Sequence, residues 1–391
     1  MITNQLQDVF ITGTGIFLPN EPIENDQIYD YLGTPEDQDD IEKSKGIKRL
    51  ILSKNGIKRR HYALDREGNP THLNSELARN AILAALDNGG LTLADLDQIC
   101  LGSAVGDVLI PGLANMVHGE LGGDTLGLVS THGVCGSGIT AMQSAWLSVR
   151  SGLYDTVVAG GSERISPALR GYRVSGANPP EDKSRKDYFF EAEFLRYMLS
   201  DGAGAATVQN QPSKQNMSLR IDFIENRSYG GKYECCMCLG TLDPTQLKPG
   251  RSWIDFRDFS EAQRLGFLNV RQNFRKLNEH ICGVVVEDLK RLIGKGLNLD
   301  DIDWFLPHIS SFSFDQPLQD EIKANGLELP REKWWLSLAE RGNMGGAGPF
   351  VTLHDFLQTG LLKPGEKVLL LLPESSRFTM GWCLFTAIPP R

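Results

Sequence analysis

The chain has 391 residues, 41% of them hydrophobic and 23% charged, and a formal net charge of −9 at pH 7. This composition is typical of a globular protein large enough for two domains or one duplicated domain. The negative charge argues against nucleic acid as a partner. No apolar run reaches the roughly 18 residues of a membrane span, and no signal peptide is apparent, so we expect no membrane association. Seven cysteines without a disulfide-scaffold spacing indicate reduced thiols and a cytoplasmic location.

Apolar strands alternate with amphipathic helices along the chain, which predicts a layered α/β fold. Residues 8–19 are expected to form the first strand, and residues 74–90 a helix that stops at two glycines. The apolar segments "DTVVAGGS" and "EKVLLLLPES" indicate two buried strands. Residues 36–49 and 226–262 are polar and interrupted by glycine or proline, and are expected to be loops.

An internal repeat is the most informative feature of the sequence. The segment "LTLADLDQICLGS" begins at Leu91 and "LNLDDIDWFLPHI" begins at Leu297, an offset of 297 − 91 = 206 residues. A second pair, "SGLYDTVVAGGSE" and "TGLLKPGEKVLLLLPE", aligns Gly152 with Gly360 at an offset of 360 − 152 = 208. Matches in the same order at nearly the same offset predict a duplicated domain.

The segment "THGVCGSGITAM" places Cys135 where an apolar strand is expected to turn into a helix. The offset of 208 relates Cys135 to Asn343 in "RGNMGGAGPF". The predicted halves, 1–215 and 216–391, would therefore carry these two residues at equivalent corners. A helix N-terminus favours a thiolate by only about 0.3–1 kcal/mol, and one pKa unit corresponds to about 1.4 kcal/mol. A second group is therefore needed to activate the thiol.

A histidine is the expected second group. His308 ends an apolar strand of the second half, in "WFLPHISSF", and pseudo-symmetry would place it opposite Cys135. His132 is nearer in sequence, but it is equally consistent with a packed structural histidine. The order Cys, His, Asn also occurs in papain-like cysteine hydrolases, where the asparagine orients the histidine. The cysteine signature of that family is absent from this sequence.

Five segments, in this order over nearly the whole chain, resemble the β-ketoacyl-acyl-carrier-protein synthase III branch of the thiolase superfamily. They are "FITGTGIFLP", "NGIKRRHYA", "GVCGSG", "SDGAGAATV" and "GNMGGAG". The resemblance implies a duplicated thiolase fold with five α-β-α-β-α layers. It also implies a homodimer, although an oligomeric state inferred by analogy is a weaker argument than the geometry of a site.

The resemblance further implies a role for each site residue. Cys135 would be the nucleophile that accepts an acyl group from a CoA or carrier-protein thioester. His308 and Asn343 would donate hydrogen bonds to the second thioester, a malonyl or β-ketoacyl thioester, and stabilise its enolate. The backbone N–H groups of Cys135 and Ser376 would form the oxyanion hole. We expect no metal and no tightly bound cofactor, since CoA or phosphopantetheine thioesters are the substrates.

Two segments depart from the pattern of the family. "SSRFTMGW" stands where the synthases carry a glycine-rich stretch, which brings the Arg377 side chain to a glycine position, and "HISSFSF" replaces the usual segment after the histidine. Together with "ECCMCLG", these segments resemble a subgroup that condenses acyl and β-ketoacyl thioesters and cyclises the product to cyclohexanediones, the precursors of dialkylresorcinols. Two alternatives remain: an acyltransferase acting on an alcohol or amine, and a non-catalytic partner subunit. The intact Cys, His and Asn argue against the partner subunit.

The basic run at residues 43–62 is either a solvated surface or a site that attracts anions. By the resemblance it would line the entrance for CoA or an acidic carrier protein, through four residues: Lys54, Lys58, Arg59 and Arg60.

Two other features have alternative interpretations. Ile110, in "GSAVGDVLIPG", belongs either to an ordinary buried loop or, by the resemblance, to a dimer loop that reaches the partner's acyl tunnel. Cys235 and Cys238 have the spacing of half a zinc site, but no second pair follows, so core or tunnel lining is expected instead.

Overall fold

The computed structural model describes residues 6–175, 177–179 and 184–390. Within these residues the strands are β1 (Phe10–Phe17), β2 (Ile23–Glu24), β3 (Arg59–Arg60), β4 (Gln98–Ser103), β5 (Gly127–His132), β6 (Thr156–Glu163), β7 (Gly202–Gln209), β8 (Ser218–Ser228), β9 (Met237–Cys238), β10 (Arg271–Gln272), β11 (Trp304–Pro307), β12 (Lys367–Pro373) and β13 (Thr379–Ile388). The α-helices are α1 (Ile28–Leu32), α2 (Gln38–Asn55), α3 (Asn74–Gly89), α4 (Leu113–Leu121), α5 (Gly136–Arg150), α6 (Gly171–Val174), α7 (Arg185–Arg196), α8 (Phe259–Arg264), α9 (Phe274–Ile293), α10 (Asp315–Ala324), α11 (Leu338–Arg341) and α12 (Gly348–Gln358).

The main sheet has nine strands in the order β11-β12-β13-β8-β1-β7-β6-β4-β5, and its two sides repeat each other. On one side β4 and β6 are parallel while β6–β7 and β7–β1 are antiparallel. On the other side β11 and β12 are parallel while β12–β13 and β13–β8 are antiparallel. The sides join through two residue pairs of β1 and β8, Phe10–Arg220 and Ile11–Leu219. The predicted boundary at residue 215 lies between β7 and β8.

Helices α5 and α12 lie between the two sides of the sheet. Ile139 and Met142 of α5 pack with Phe350 and Leu353 of α12 in a core that also contains residues of β6 and β12. On the outer faces, α3 and α4 cover the N-terminal strands, and α9 and α10 cover the C-terminal strands. The five-layered, duplicated α/β fold predicted from the sequence is therefore confirmed.

The loop predicted at residues 36–49 is wrong, because α2 occupies most of that segment. Asp37 caps this helix by accepting two backbone N–H groups. The inner face of α2 is partly polar, since the buried Ser44 hydroxyl lies 2.7 Å from the Tyr197 hydroxyl. A helix that buries polar groups lacks the apolar stripe by which helices are recognised in sequences. Residues 226–262 are mainly irregular, as predicted, apart from the end of β8, two 3-10 turns, β9 and α8.

Two glycines allow the halves to approach closely. A Cβ atom at Gly138, in α5, or at Gly161, in β6, would overlap the Gly346 carbonyl oxygen. Gly346 follows Asn343 in the loop before α12. The position of that loop therefore depends on the absence of these two side chains.

We predict that Gly138→Ala lowers the free energy of unfolding by about 1–3 kcal/mol, because overpacking displaces backbone. Gly283→Ala, in the middle of α9, is the control, since no heavy atom lies within 4 Å of a Cβ atom there. The control should gain up to about 1 kcal/mol from helix propensity. Urea denaturation measures both changes, and a Gly138→Ala chain as stable as the wild type would contradict the prediction.

Candidate active site

One cavity of about 310 Å³ is lined by three of the predicted site residues, Cys135, Asn343 and Ser376. Much of its remaining wall is apolar and includes Val105, Val134, Ile165, Leu199, Met237, Leu239 and Val270. No lysine or arginine of the described chain is among the residues that line it. The cavity therefore suits an uncharged, largely apolar group next to a thiol.

Cys135 precedes the first residue of α5 and is 2% exposed. Burial raises the pKa of its thiol above the ordinary range, and the negative charges of Glu374 and Glu163 raise it further. The stabilisation of a thiolate expected at the helix N-terminus is therefore outweighed. At neutral pH the unliganded protein holds Cys135 as a thiol.

The side chain of Asn343 is oriented by its own loop. The Asn343 backbone N–H donates to the Met198 carbonyl at 3.1 Å, and its carbonyl accepts from the Ser200 N–H at 2.9 Å. The Gly345 N–H donates to Oδ1 at 3.0 Å. Because Oδ1 already accepts this bond, Nδ2 is left as a donor at the cavity, and it makes no hydrogen bond within the described residues.

His308 follows β11 and does not line the Cys135 cavity. It lines another space, of about 10 Å³, and Met344 lines both spaces. The imidazole packs on Gly348, where a Cβ atom would lie 2.6 Å from Cε1 and 2.7 Å from Nδ1. Its Nε2 atom is buried without a hydrogen-bond partner in the described chain. Such an atom is a candidate partner for a ligand.

His132 is the histidine that lines the Cys135 cavity. It ends β5 and is exposed, so it is not the packed structural histidine considered as an alternative. The structure thus brings His132 to the same cavity as Cys135, and places His308 at an adjacent space that Met344 also lines.

Two backbone donors flank the cavity. Within the described residues, neither the Cys135 N–H nor the Ser376 N–H donates a hydrogen bond to another residue. The Ser376 carbonyl accepts from the Cys236 N–H at 2.7 Å, which holds the loop after β12. The Arg377 side chain is exposed and lies against Gly230, so its replacement of a glycine does not fill the cavity.

Two glutamates at the cavity were not recognised from the sequence. Glu163 ends β6, and Glu374 follows β12. Burial raises the pKa of Glu163 to about 8, so this carboxyl is mainly protonated at pH 7. Both residues end the repeated segments "SGLYDTVVAGGSE" and "TGLLKPGEKVLLLLPE". The repeat therefore contained the signal, because it placed a carboxyl group at the end of equivalent strands.

The predicted entrance residues face in different directions. Lys54 and Lys58 are exposed, and exposed Arg59 donates from Nε to Glu340 at 2.7 Å. Arg60 is fully buried, and its Nη1 donates to the Tyr197 carbonyl at 2.8 Å. Arg60 is therefore not available to a ligand from solvent, and the prediction for it is wrong. The reason is that neighbouring residues of a strand, here β3, point to opposite sides.

The remaining predicted features lie at the surface or in a second cavity. Ile110 is 86% exposed, so it does not belong to an ordinary buried loop. Cys235 and Cys238 line a second cavity of about 470 Å³, and Cys238 also borders the first one. Among the described residues, no cluster of three or more His, Cys, Asp or Glu side chains is placed to hold a metal ion. None of the described helices combines the length and apolarity needed to cross a membrane.

Burial lowers the pKa of His308 to about 4. We therefore predict that the imidazole stays neutral from pH 8 down to pH 5, because the cationic form is poorly solvated there. NMR of ring-labelled histidine, assigned with a His308→Gln variant, should show no titration of His308 in this range. A midpoint near the ordinary value of about 6.5 would contradict the prediction.

Comparison with protein families gives two matches, one in each half of the chain. Residues 69–208 match the thiolase N-terminal domain, and residues 292–372 match the C-terminal domain of 3-oxoacyl-[acyl-carrier-protein] synthase III. Cys135 lies within the first match, and His308 and Asn343 lie within the second. The β-ketoacyl-[acyl-carrier-protein] synthase III of Ruegeria sp. (strain TM1040) is 26% identical over 374 residues, which are 95% of this chain and 96% of the relative.

Solved structures share the fold over almost the whole chain. The tetronic acid condensing enzyme AbyA1 superimposes with a TM-score of 0.72 at 21% identity and covers 97% of this chain and 99% of its own. A cysteine-to-serine variant of Xanthomonas campestris OleA, with bound lauric acid and lauroyl-CoA, has a TM-score of 0.70 at 16% identity, with coverage of 97% and 99%. The chain belongs to the thiolase superfamily and is a β-ketoacyl-acyl-carrier-protein synthase III-like acyltransferase.

Proposed function

We propose that the protein transfers an acyl group from a CoA or carrier-protein thioester to Cys135. A Claisen condensation with a second thioester, malonyl or β-ketoacyl, follows. The observation that carries this proposal is the cavity itself, where a thiol, an oriented amide donor and two unpaired backbone N–H groups surround an apolar space. The names of the relatives are consistent with it, since they describe synthases and condensing enzymes.

In the first step the Cys135 sulfur attacks the thioester carbonyl, and the donor thiol leaves with the cysteine proton. The backbone N–H groups of Cys135 and Ser376 are suited to hold the carbonyl oxygen as it becomes negative. In the second step the acceptor forms an enolate, by loss of CO₂ from a malonyl thioester or of a Cα proton from a β-ketoacyl thioester. The enolate attacks the acyl carbon, the bond between that carbon and the Cys135 sulfur breaks, and the Cys135 thiolate takes up a proton. Asn343 Nδ2 and His308 Nε2 are the donors proposed for the enolate oxygen, because neither has a partner in the described chain.

We further propose that the acceptor is a β-ketoacyl thioester and that the product is cyclised. The segments that resemble the cyclohexanedione-forming subgroup support a β-ketoacyl acceptor and ring closure. Lys54 and Lys58 are exposed and are consistent with binding the phosphates of CoA. A cyclised product would be released without its thioester, so mass spectrometry of the free product distinguishes it from a linear one.

Incubation with lauroyl-CoA and with β-ketoacyl-CoA donors should add one acyl mass to the wild-type chain and none to a Cys135→Ala variant. Two cysteines of the described chain line the cavity, Cys135 and Cys238, and Cys135 is the expected acceptor because its own backbone N–H is one of the unpaired donors. Intact-mass spectrometry is the measurement. If no donor, carrier-bound thioesters included, gives an adduct, the proposal fails.

The acylated protein also tests the two donors. Asn343→Ala and His308→Ala should still form the adduct, but should transfer it to an acceptor thioester about a hundred- to a thousand-fold more slowly, as found when one such donor is removed. If these variants lost adduct formation to the same extent as transfer, the two residues would not act specifically on the second substrate. Transfer to an alcohol or amine without a new C–C bond would favour the acyltransferase alternative.

We also propose a homodimer. Leu109 and Ile110 are 80% and 86% exposed on one loop, and contiguous apolar exposure marks interaction sites. Strand β5 is an edge strand that pairs with β4 alone within the described chain, so its other side can pair with a second copy.

The double variant Leu109→Ser, Ile110→Ser should weaken the dimer, because it removes apolar area that association would bury. Light scattering should give twice the chain mass of 43.2 kDa for the wild type and a mass closer to 43.2 kDa for the variant. Leu153→Ser, at a different half-exposed leucine, is the control. A wild-type protein that is monomeric at all concentrations would contradict the proposal.

A further inference from the structure

The two glutamates at the Cys135 cavity differ in how their oxygens are used. Glu163 accepts from the Ala104 N–H through both oxygens, at 3.0 and 3.1 Å, and from the Gly346 N–H at 3.1 Å. Glu374 accepts one bond, from the Ser376 hydroxyl to Oε1. Within the described residues its Oε2 receives no donor. Glu163 therefore holds backbone in place, whereas Glu374 keeps an oxygen free.

The free oxygen of Glu374 lies close to the nucleophile. Oε2 is 3.1 Å from the place a Cβ atom would take at Gly136, the residue that follows Cys135. The Glu374 side chain is buried and lines the same cavity as Cys135. Its charge also acts on the Cys135 thiol, whose pKa it raises. A group attached to the Cys135 sulfur is thus within the electrostatic reach of Glu374.

The acceptor can become an enolate in two ways. A malonyl thioester loses CO₂ and needs no base, whereas a β-ketoacyl thioester keeps its carbon atoms and must lose a Cα proton to a base. A malonyl group would bring a second carboxylate next to Glu374, in a cavity whose described wall has no lysine or arginine. Like charges at short distance in a poorly hydrated site repel strongly. A neutral acceptor avoids this repulsion.

We propose that Glu374 is the catalytic base that removes the Cα proton of an acceptor thioester that is not decarboxylated. This rests on the proposed function, in which Cys135 carries the acyl group. Oε2 takes the proton, the Cα carbanion attacks the acyl carbon, a C–C bond forms, and the bond between that carbon and the Cys135 sulfur breaks. The proton on Glu374 then passes to the departing Cys135 thiolate. The step needs no further reactant, and both residues return to their starting state.

A purely positioning role for Glu374 has different consequences. If the carboxylate only held Ser376 through its hydroxyl, its loss would disturb the oxyanion hole, which serves acylation and condensation alike. A base is needed only for condensation with an acceptor that is not decarboxylated. The two half-reactions therefore separate the two roles.

The test compares Glu374→Gln with the wild type in three assays: lauroyl transfer to Cys135 by intact mass, and transfer of that lauroyl group to acetoacetyl-CoA or to malonyl-CoA by product analysis. We expect acylation within a few-fold of wild type and transfer to acetoacetyl-CoA reduced by about a hundred- to ten-thousand-fold, the range for general-base catalysis. Transfer to malonyl-CoA should not fall, because it needs no base. Glu374→Asp should restore part of the acetoacetyl-CoA rate.

Further variants and a reactivity assay show whether the site is intact. Glu67→Gln, at an exposed carboxylate away from the cavity, should behave as wild type. Iodoacetamide should modify Cys135 faster in Glu374→Gln at pH 7.5, because removal of a nearby negative charge favours the thiolate. Ser376→Ala removes the hydroxyl bonded to Glu374 and should leave more acetoacetyl-CoA transfer than Glu374→Gln.

Three results would overturn the inference: equal loss with both acceptors, loss of acylation in Glu374→Gln, or equal losses in Ser376→Ala and Glu374→Gln. A wild-type chain that forms the lauroyl adduct but condenses it with malonyl-CoA alone would also overturn it and leave the proposed function standing. A wild-type chain that forms no adduct removes the proposed function instead.

Discussion

The structure depends on close backbone contact between α5 and the loop that carries Asn343. Gly138 and Gly161 leave room for the Gly346 carbonyl, and the Glu163 carboxyl accepts the Gly346 N–H at 3.1 Å. This contact brings the beginning of α5 in one half next to the beginning of α12 in the other. Because Cys135 directly precedes α5 and Asn343 lies shortly before α12, the cavity exists only where the halves meet.

Burial at this junction shifts the pKa of three ionisable groups, Cys135, Glu163 and His308. It keeps Cys135 protonated, Glu163 mainly protonated and His308 neutral at pH 7, in each case because water no longer solvates the charged form. Neutral donors and a thiol suit the transient negative charge of acyl transfer. No lysine or arginine of the described wall of the cavity could compensate that charge.

Much of this arrangement could be predicted from the sequence, and the repeat explains why. The offset of 206 to 208 residues related the strands of the two halves and led to the pair Cys135 and Asn343. Each copy of the repeat also ends with a glutamate, Glu163 or Glu374. Strand periodicity does not show which of the two carboxylates retains a free oxygen. That depends on contacts with Ala104 and Gly346, which come from distant parts of the chain.

The predictions for Arg60 and for residues 36–49 were wrong for physical reasons that a local sequence pattern does not show. Arg60 was predicted to line the entrance together with Lys54, Lys58 and Arg59, yet it is buried and donates a hydrogen bond to the Tyr197 carbonyl. Helix α2 lacked an apolar stripe because its inner face includes polar residues such as Ser44. The placement of His308 is not such an error: it stays a predicted donor, lines the space next to the Cys135 cavity, and shares Met344 as a neighbour with that cavity, which His132 lines as well.

We propose that the 310 Å³ cavity receives an acyl group bound to Cys135. A crystal structure of the protein after reaction with lauroyl-CoA tests it most directly. We expect continuous density from the Cys135 sulfur into the apolar part of the cavity, with the acyl oxygen accepting from the backbone N–H groups of Cys135 and Ser376. Density for the acyl chain on another residue, or an acyl oxygen turned away from both N–H groups, would contradict it.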